Sequence, residues 1–352
     1  MEWIRGEVIG RGSFGTVNLA KLTKSNTNHQ QQQQQNPSFV VKSSHVSNSS
    51  SLENEKKILT KLGNCHTNII QYLGDSISEE KGTQFYNLFL EYASKGSLAD
   101  YLRKSGGKFG NSDVKRYTKG ILNGLSHVHE NGFVHCDVKL QNVLVFEDGG
   151  VKLADFGLAK TVKDNDSGSE LRGTPLYMSP EILAGGKVTA AADVWAVGCA
   201  VAEMVSGLPV WEYSPENDVS GLMYRIGVLG ECPKIPESLC DEGRDFLSKC
   251  FLKDPKERWT ASMLLDHPFI SGCDGDNDGL IEKPSVSPKC PFEFPDWESV
   301  EQSSFGSGSV ESFDFQESDI SSWSSISSRF DEELVSERVP DWSELTGWIT
   351  IR

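Results

Sequence analysis

His135-Cys136-Asp137-Val138-Lys139-Leu140-Gln141-Asn142, with Asp155-Phe156-Gly157 close behind, is the stretch that decides the reading of this chain. An Asp and an Asn five residues apart, then a second Asp ahead of Phe-Gly, bring together hard oxygen donors. Such a set can hold a hydroxyl and two magnesium ions around one triphosphate. Few other chemistries need it.

Working towards the N-terminus, Gly10-Arg11-Gly12-Ser13-Phe14-Gly15-Thr16-Val17 is a glycine-rich run. Glycines let a backbone approach phosphates without a Cβ clash, and free N–H groups can face the anion. A dinucleotide fold would need a helix directly after the loop and an acidic residue about 20 positions on. Strand-like Thr16-Val17-Asn18-Leu19-Ala20 follows instead, which suits a loop folded over a nucleotide. Lys42 closes the apolar run Phe39-Val40-Val41-Lys42. It is either a strand-end lysine in solvent or a cation on the α/β-phosphates, oriented by a carboxylate. Glu55 is the expected partner, because it sits in register with the apolar face of a helix over Ser51–Leu62; Glu53 is the alternative.

Up to residue 93 the chain reads mainly as strands: Trp3 to Gly10, Thr16 to Leu22, Phe39 to Lys42, Ile69 to Leu73 and Phe85 to Tyr92. A polar insert from Thr23 to Pro37, with glutamine at every position from 30 to 35, cannot bury a strand face and is expected to be a disordered hairpin extension. Helical periods then dominate, over Ser97–Lys104, Ser112–Asn131, Ala191–Ser206, Val219–Leu229, Glu242–Leu252 and Thr260–Asp266. A strand pair, Asn142–Phe146 and Val151–Ala154, brackets a Glu-Asp-Gly-Gly turn. The fold class is α+β: a small β-rich lobe, a larger helical lobe and a cleft between them.

Charge divides the chain once more. Of the net −16, the 18 acidic and 5 basic residues from Ser271 onwards account for −13, so the first 270 residues are nearly neutral. This balance argues against nucleic acid or an anionic membrane as main partner. The eight cysteines include no C-x-x-C pair and read as thiols in a reducing compartment. No signal core or lipidation box is present, and the apolar stretch Ala196 to Val205 is too short to span a bilayer. The expectation is a soluble intracellular protein, cytoplasmic with the nucleus open to it.

With these motifs in this order, residues 1–270 resemble the eukaryotic protein kinases, with an N-lobe over 1–93 and a C-lobe over 94–270. The resemblance implies an ATP- and Mg²⁺-dependent serine/threonine kinase. Asp137 would accept or orient the substrate hydroxyl, Lys139 would contact the phosphate, and Lys42 with Glu55 would hold the α/β-phosphates. Asn142 and Asp155 would carry the metal. Gly10, Gly12 and Gly15 would cover the phosphates. Glu91-Tyr92-Ala93 would be the adenine hinge after a gatekeeper, Leu90, and Ile9, Val17, Val40 and Leu144 would sandwich the purine. Ser97 would reach the ribose. Phe156 would pack beneath the Glu55 helix, near Leu59 and His135. Gly173-Thr174-Pro175-Leu176-Tyr177-Met178-Ser179-Pro180-Glu181 matches the end of an activation segment, with Thr174 and Lys139 favouring Ser/Thr over Tyr, and Glu181 would pair with Arg258. Asp193 would brace the catalytic loop.

The same residues look most like plant MAP kinase kinase kinases of the branch related to mammalian MEK kinases. The implied substrates are MAP kinase kinases, in a plant stress or hormone cascade; a catalytically inactive scaffold and a kinase acting outside that cascade are the alternatives. One departure stands out: Cys136 replaces the Arg that normally receives an activation-segment phosphate. Phosphorylation of Thr161, Ser167 or Ser169 is therefore expected to matter little, or to use Lys160 or Arg172.

The acidic segment 271–352 is expected to be mostly disordered. Its tryptophans (297, 323, 342, 348) sit among Ser, Asp and Glu, as short contacts for a regulatory protein, a substrate kinase or the kinase domain itself, or simply as part of a solubilising tail. Asp274-Gly275-Asp276-Asn277-Asp278-Gly279 copies half of a calcium loop, but its twelfth position is Ser285, so a solvated linker is expected.

Overall fold

A computed structural model describes residues 3–22, 39–162, 171–211 and 219–272. The glutamine insert, Ser167, Ser169 and the acidic segment, with its tryptophans and calcium-loop copy, lie outside the described residues.

The first lobe is built on β1 (Trp3–Gly12), β2 (Gly15–Leu22), β3 (Phe39–His45), β4 (Tyr72–Glu80) and β5 (Thr83–Glu91), joined antiparallel in the order β1-β2-β3-β5-β4. The central strand, β3, is buried along Phe39 to Ser44, as its continuous apolar run requires. Strand β4 departs from expectation. The apolar stretch Ile69–Leu73 suggested a strand there, yet the strand begins only at Tyr72 and runs through the polar residues that follow. Ile69 and Ile70 are buried, and Ile69 bridges to Leu153 in the other lobe. Their hydrophobicity belongs to the junction between lobes, whereas β4 is a sheet edge that needs no apolar face. The β4–β5 hairpin closes through Lys81-Gly82, both at positive φ, which matches the right-handed strand twist.

Helix α1 (Ser50–Leu62) lies against this sheet. Leu52, Ile58, Leu59 and Leu62 form its apolar stripe, and Glu55 is buried on the same face.

The second lobe contains α2 (Leu98–Lys104), α3 (Asn111–Glu130), α4 (Pro180–Leu183), α5 (Ala190–Ser206), α6 (Val219–Gly227), α7 (Asp241–Cys250), α8 (Ala261–Leu265) and α9 (Pro268–Ser271). Short strand pairs sit at its cleft-facing side: β6 (Phe133–Val134) with β9 (Lys160–Thr161), and β7 (Val143–Val145) with β8 (Val151–Leu153). Helix α5 is apolar on nearly every side, so it belongs in the interior; Trp195 and Val197 are fully buried. It ends at Gly207 in the left-handed conformation that glycine adopts without strain. All described residues fall in one compact unit, and one hydrophobic core runs from Ile9 and Val40 through Phe156 to α5 and α9.

Candidate active site

The loop between β6 and β7 carries His135 to Asn142, and α5 holds it from below. Asp193 is buried and accepts hydrogen bonds from the backbone N–H groups of His135 (2.8 Å) and Cys136 (2.9 Å), with His129 Nε2 2.8 Å away. These bonds secure Cys136 at φ 69°, a strained backbone for a residue with a Cβ.

Above this brace, Asp137 sits at the centre of a side-chain network. Its Oδ2 lies 2.8 Å from Lys139 Nζ and accepts from Asn142 Nδ2 at 2.9 Å; its Oδ1 accepts from Thr174 Oγ1 at 2.8 Å. Lys139 Nζ donates to Thr174 Oγ1 at 2.8 Å. Thr174 reaches this position because Gly173, at φ 113°, presses on Cys136; a Cβ there would stand 2.5 Å from the Cys136 carbonyl oxygen. The activation-segment motif and the catalytic-loop motif thus meet through Thr174.

Lys42 on β3 donates to Glu55 Oε2 at 2.7 Å and to Asp155 Oδ1 at 2.9 Å. Burial pulls the Lys42 ammonium down, but Asp155 and Glu55 outweigh it and hold it charged, above its ordinary value. Burial likewise works against the Asp155 carboxylate, and Lys42, then Lys139 and His135, keep it below the usual range. Glu55 is pushed up by its burial, against the pull of Lys42. Its Oε1 also accepts from the Phe156 backbone N–H at 3.2 Å. Glu53 bonds Ser49 instead, so the register argument selects the right carboxylate. Phe156 is fully buried, shares the core with Leu59 and has its ring 4.7 Å from that of His135.

The glycine run forms the β1–β2 hairpin, with Gly10 opposite Val17 and Gly12 opposite Gly15. A Cβ on Gly15 would lie 2.3 Å from the Ser43 carbonyl oxygen, so only glycine fits. Phe14 at the hairpin tip places its ring 6.0 Å from Lys42 Nζ. Ile9, Val40 and Leu90 are buried in one core cluster, with Val17 and Leu144 packed against it. Ala93 is buried as well. The Glu91 carboxylate is taken by Lys152 (2.7 and 2.9 Å) and by the Gln71 backbone N–H (2.7 Å). That tether joins the hinge to β8 and was not foreseen, since nothing local marks Lys152.

Ser97 departs from expectation. It is buried as the N-cap of α2, accepting from Asp100 N at 3.1 Å and donating to Asp100 Oδ2 at 2.7 Å, so its hydroxyl is committed to the helix rather than open to a ribose.

Further out, Arg258 makes a two-pronged pair with Glu181 (2.7 and 3.0 Å) and donates to the Ala191 and Leu252 carbonyls. Tyr177 donates to Glu203 on α5, whose carboxyl burial pushes up to about 7. The Cys136 thiol is pushed up by burial and by Asp193, and so stays neutral. Lys160 and Arg172 are close enough to oppose that shift.

The donor set fits a hard divalent cation. Asn142 spends its amide nitrogen on the Asp137 carbonyl (2.8 Å) and carboxylate, which leaves its oxygen as the ligating atom, and Asp155 is an anion open to the cleft.

A glycine hairpin over a lysine–glutamate pair, with an Asp–Asn loop below, defines a phosphoryl-transfer domain. The protein kinase domain model matches residues 3–270, and the chain belongs to the protein kinase family. Within it the similar proteins include plant members. MAP kinase kinase kinase 20 of Arabidopsis thaliana is 46% identical over the whole of both chains. MAP kinase kinase kinase 17 of the same plant is 40% identical over 86% of this chain and 78% of its own. MAP kinase kinase kinase 18 is 39% identical over 86% of each. The chain is thus a serine/threonine kinase of the MAP kinase kinase kinase type; the family uses ATP and Mg²⁺.

Proposed function

We propose that this kinase transfers the γ-phosphoryl of ATP to Ser or Thr in the activation segment of a MAP kinase kinase, within a plant stress or hormone cascade. The observation that carries the reading is the network joining Asp137, Lys139, Asn142 and Thr174, set beside the Lys42–Glu55–Asp155 cluster. In this reading Asp137 orients the substrate hydroxyl and takes its proton. Lys139, held by Thr174, steadies the group in transit. Lys42, fixed by Glu55, grips the α/β-phosphates. Gly10, Gly12 and Gly15 close over them. Asn142 and Asp155 ligate Mg²⁺, which when bound neutralises charge on the phosphates. Ile9, Val17, Val40 and Leu144 enclose the purine beyond Leu90, and the backbone of Glu91 and Ala93 meets its edge.

Residues 1–270 are proposed as the catalytic domain and 271–352 as a regulatory or docking segment, with the protein in the cytoplasm and the nucleus open to it. Neither the site nor the relatives favour an inactive scaffold. The test is phosphorylation of a panel of catalytically dead MAP kinase kinases, mapped by mass spectrometry, with Asp137→Asn as the blank. Activation-segment Ser/Thr labelling supports the proposal; a kinase that labels generic protein but none of the panel overturns its substrate half.

A further inference from the structure

Helix α1 grips the metal-side segment by a second residue, next to Glu55. Asn54 Nδ2 stands 2.8 Å from the Ala159 carbonyl oxygen, 3.1 Å from that of Gly157 and 3.5 Å from that of Phe156. Three carbonyls converge on one nitrogen, so only the amide orientation that presents N–H satisfies them, and its two protons match the two shorter contacts. Beside it, Ser51 packs so closely that a Cβ on Gly157 would lie 2.2 Å from Ser51 Oγ. Glu55 meanwhile holds the Phe156 N–H. One helical turn therefore holds the backbone on both sides of Phe156, immediately after Asp155, which adopts φ 62°, a backbone that needs support.

We propose that Asn54 is a positioning residue for the phosphoryl-transfer reaction: by tying the 156–159 carbonyls to α1, it makes the orientation of Asp155 depend on the seating of that helix. The Lys42–Glu55–Asp155 pairs fix the same segment through charge, whereas Asn54 fixes it through donor direction. The assignment rests on the reading of Asp155 as metal ligand, but the tie itself can be tested without nucleotide.

Three variants separate donor direction from space-filling. Asn54→Leu keeps the volume and removes the donors; Asn54→Asp keeps the shape and turns donors into acceptors aimed at three carbonyls; Asn54→Gln keeps the donor. In nucleotide-free full-length protein, backbone amides 157–160 should exchange with deuterium about tenfold faster in Leu and faster still in Asp. With a generic protein substrate, the Mg²⁺ concentration for half-maximal rate should rise about tenfold in the order Gln, Leu, Asp, while the KM for the protein substrate holds. A purely structural role would lower the active fraction without moving the Mg²⁺ requirement. Wild-type exchange and Mg²⁺ dependence in both Leu and Asp would overturn the proposal. Faster exchange with an unchanged Mg²⁺ requirement would overturn the link to Asp155. Failure to label any MAP kinase kinase bears only on the substrate reading.

Discussion

The two walls of the cleft are held by different means. The catalytic loop hangs from α5 by backbone bonds to one buried carboxylate, Asp193, and its side chains interlock over short range. The opposite wall depends on charges meeting across a long stretch of chain, with Lys42, Glu55 and Asp155 arriving from β3, α1 and the segment after β8. Bonds to backbone within a packed core do not let go singly. An ion pair between a helix and a strand can part if the helix swings, at the cost of leaving buried charge uncompensated. The lower wall is thus preorganised, and the upper wall is where the site can be made or unmade.

Substitutions in the two walls should differ accordingly. Asp137→Asn removes the proposed base while keeping the side chain's size. The phosphorylation rate should fall by about a thousandfold, with the thermal midpoint little changed. Asp193→Ala strikes the brace instead. Denaturant unfolding should show a loss of about 3 kcal/mol or more, because two backbone N–H groups lose their acceptor. Lys42→Met should lower the rate by orders of magnitude and also cost stability, because Glu55 is left buried without its cation; a loss confined to stability would erase the distinction between the walls.

A pH effect comes from the lower lobe. The Glu203 carboxyl has a folded value near 7, raised by burial from 4.5. The fold therefore binds a proton that the unfolded chain releases. Its stabilising effect is complete below about pH 4.5 and is lost as pH climbs through 7, by about 2 kcal/mol for a half-buried group. Glu203→Gln should flatten the stability curve across that window; an unchanged slope would assign the effect elsewhere.

The smallest effect is expected at Thr161. With Cys136 held neutral in the catalytic loop, Thr161→Ala should change activity by less than about twofold. Loss of activity would show that Lys160 or Arg172 takes a phosphate after all.

Much of this was legible in the chain because the chemistry is local. Residues 135–142 carry the proposed base, the lysine and the Asn within eight positions, and the helix register alone distinguishes Glu55 from Glu53. What stayed hidden depended on distance in sequence. Ile69 and Ile70 look like a strand until Leu153 is seen to claim them. Ser97 looks like a ligand contact until Asp100 folds back on it. Nothing near Lys152 or Asn54 reveals that one reaches the hinge and the other the carbonyls of 157–159, because both contacts exist only once the lobes have met.

The proposed function stands on this cleft holding a nucleotide's terminal phosphoryl against an alcohol, with Asp137 beneath it. The most direct measurement incubates the purified full-length chain with γ-labelled ATP, Mg²⁺ and a generic protein acceptor, alongside Asp137→Asn. Label should appear on Ser and Thr in the first and almost none in the second; equal label in both, or none in the folded wild type, would rule the proposed function out.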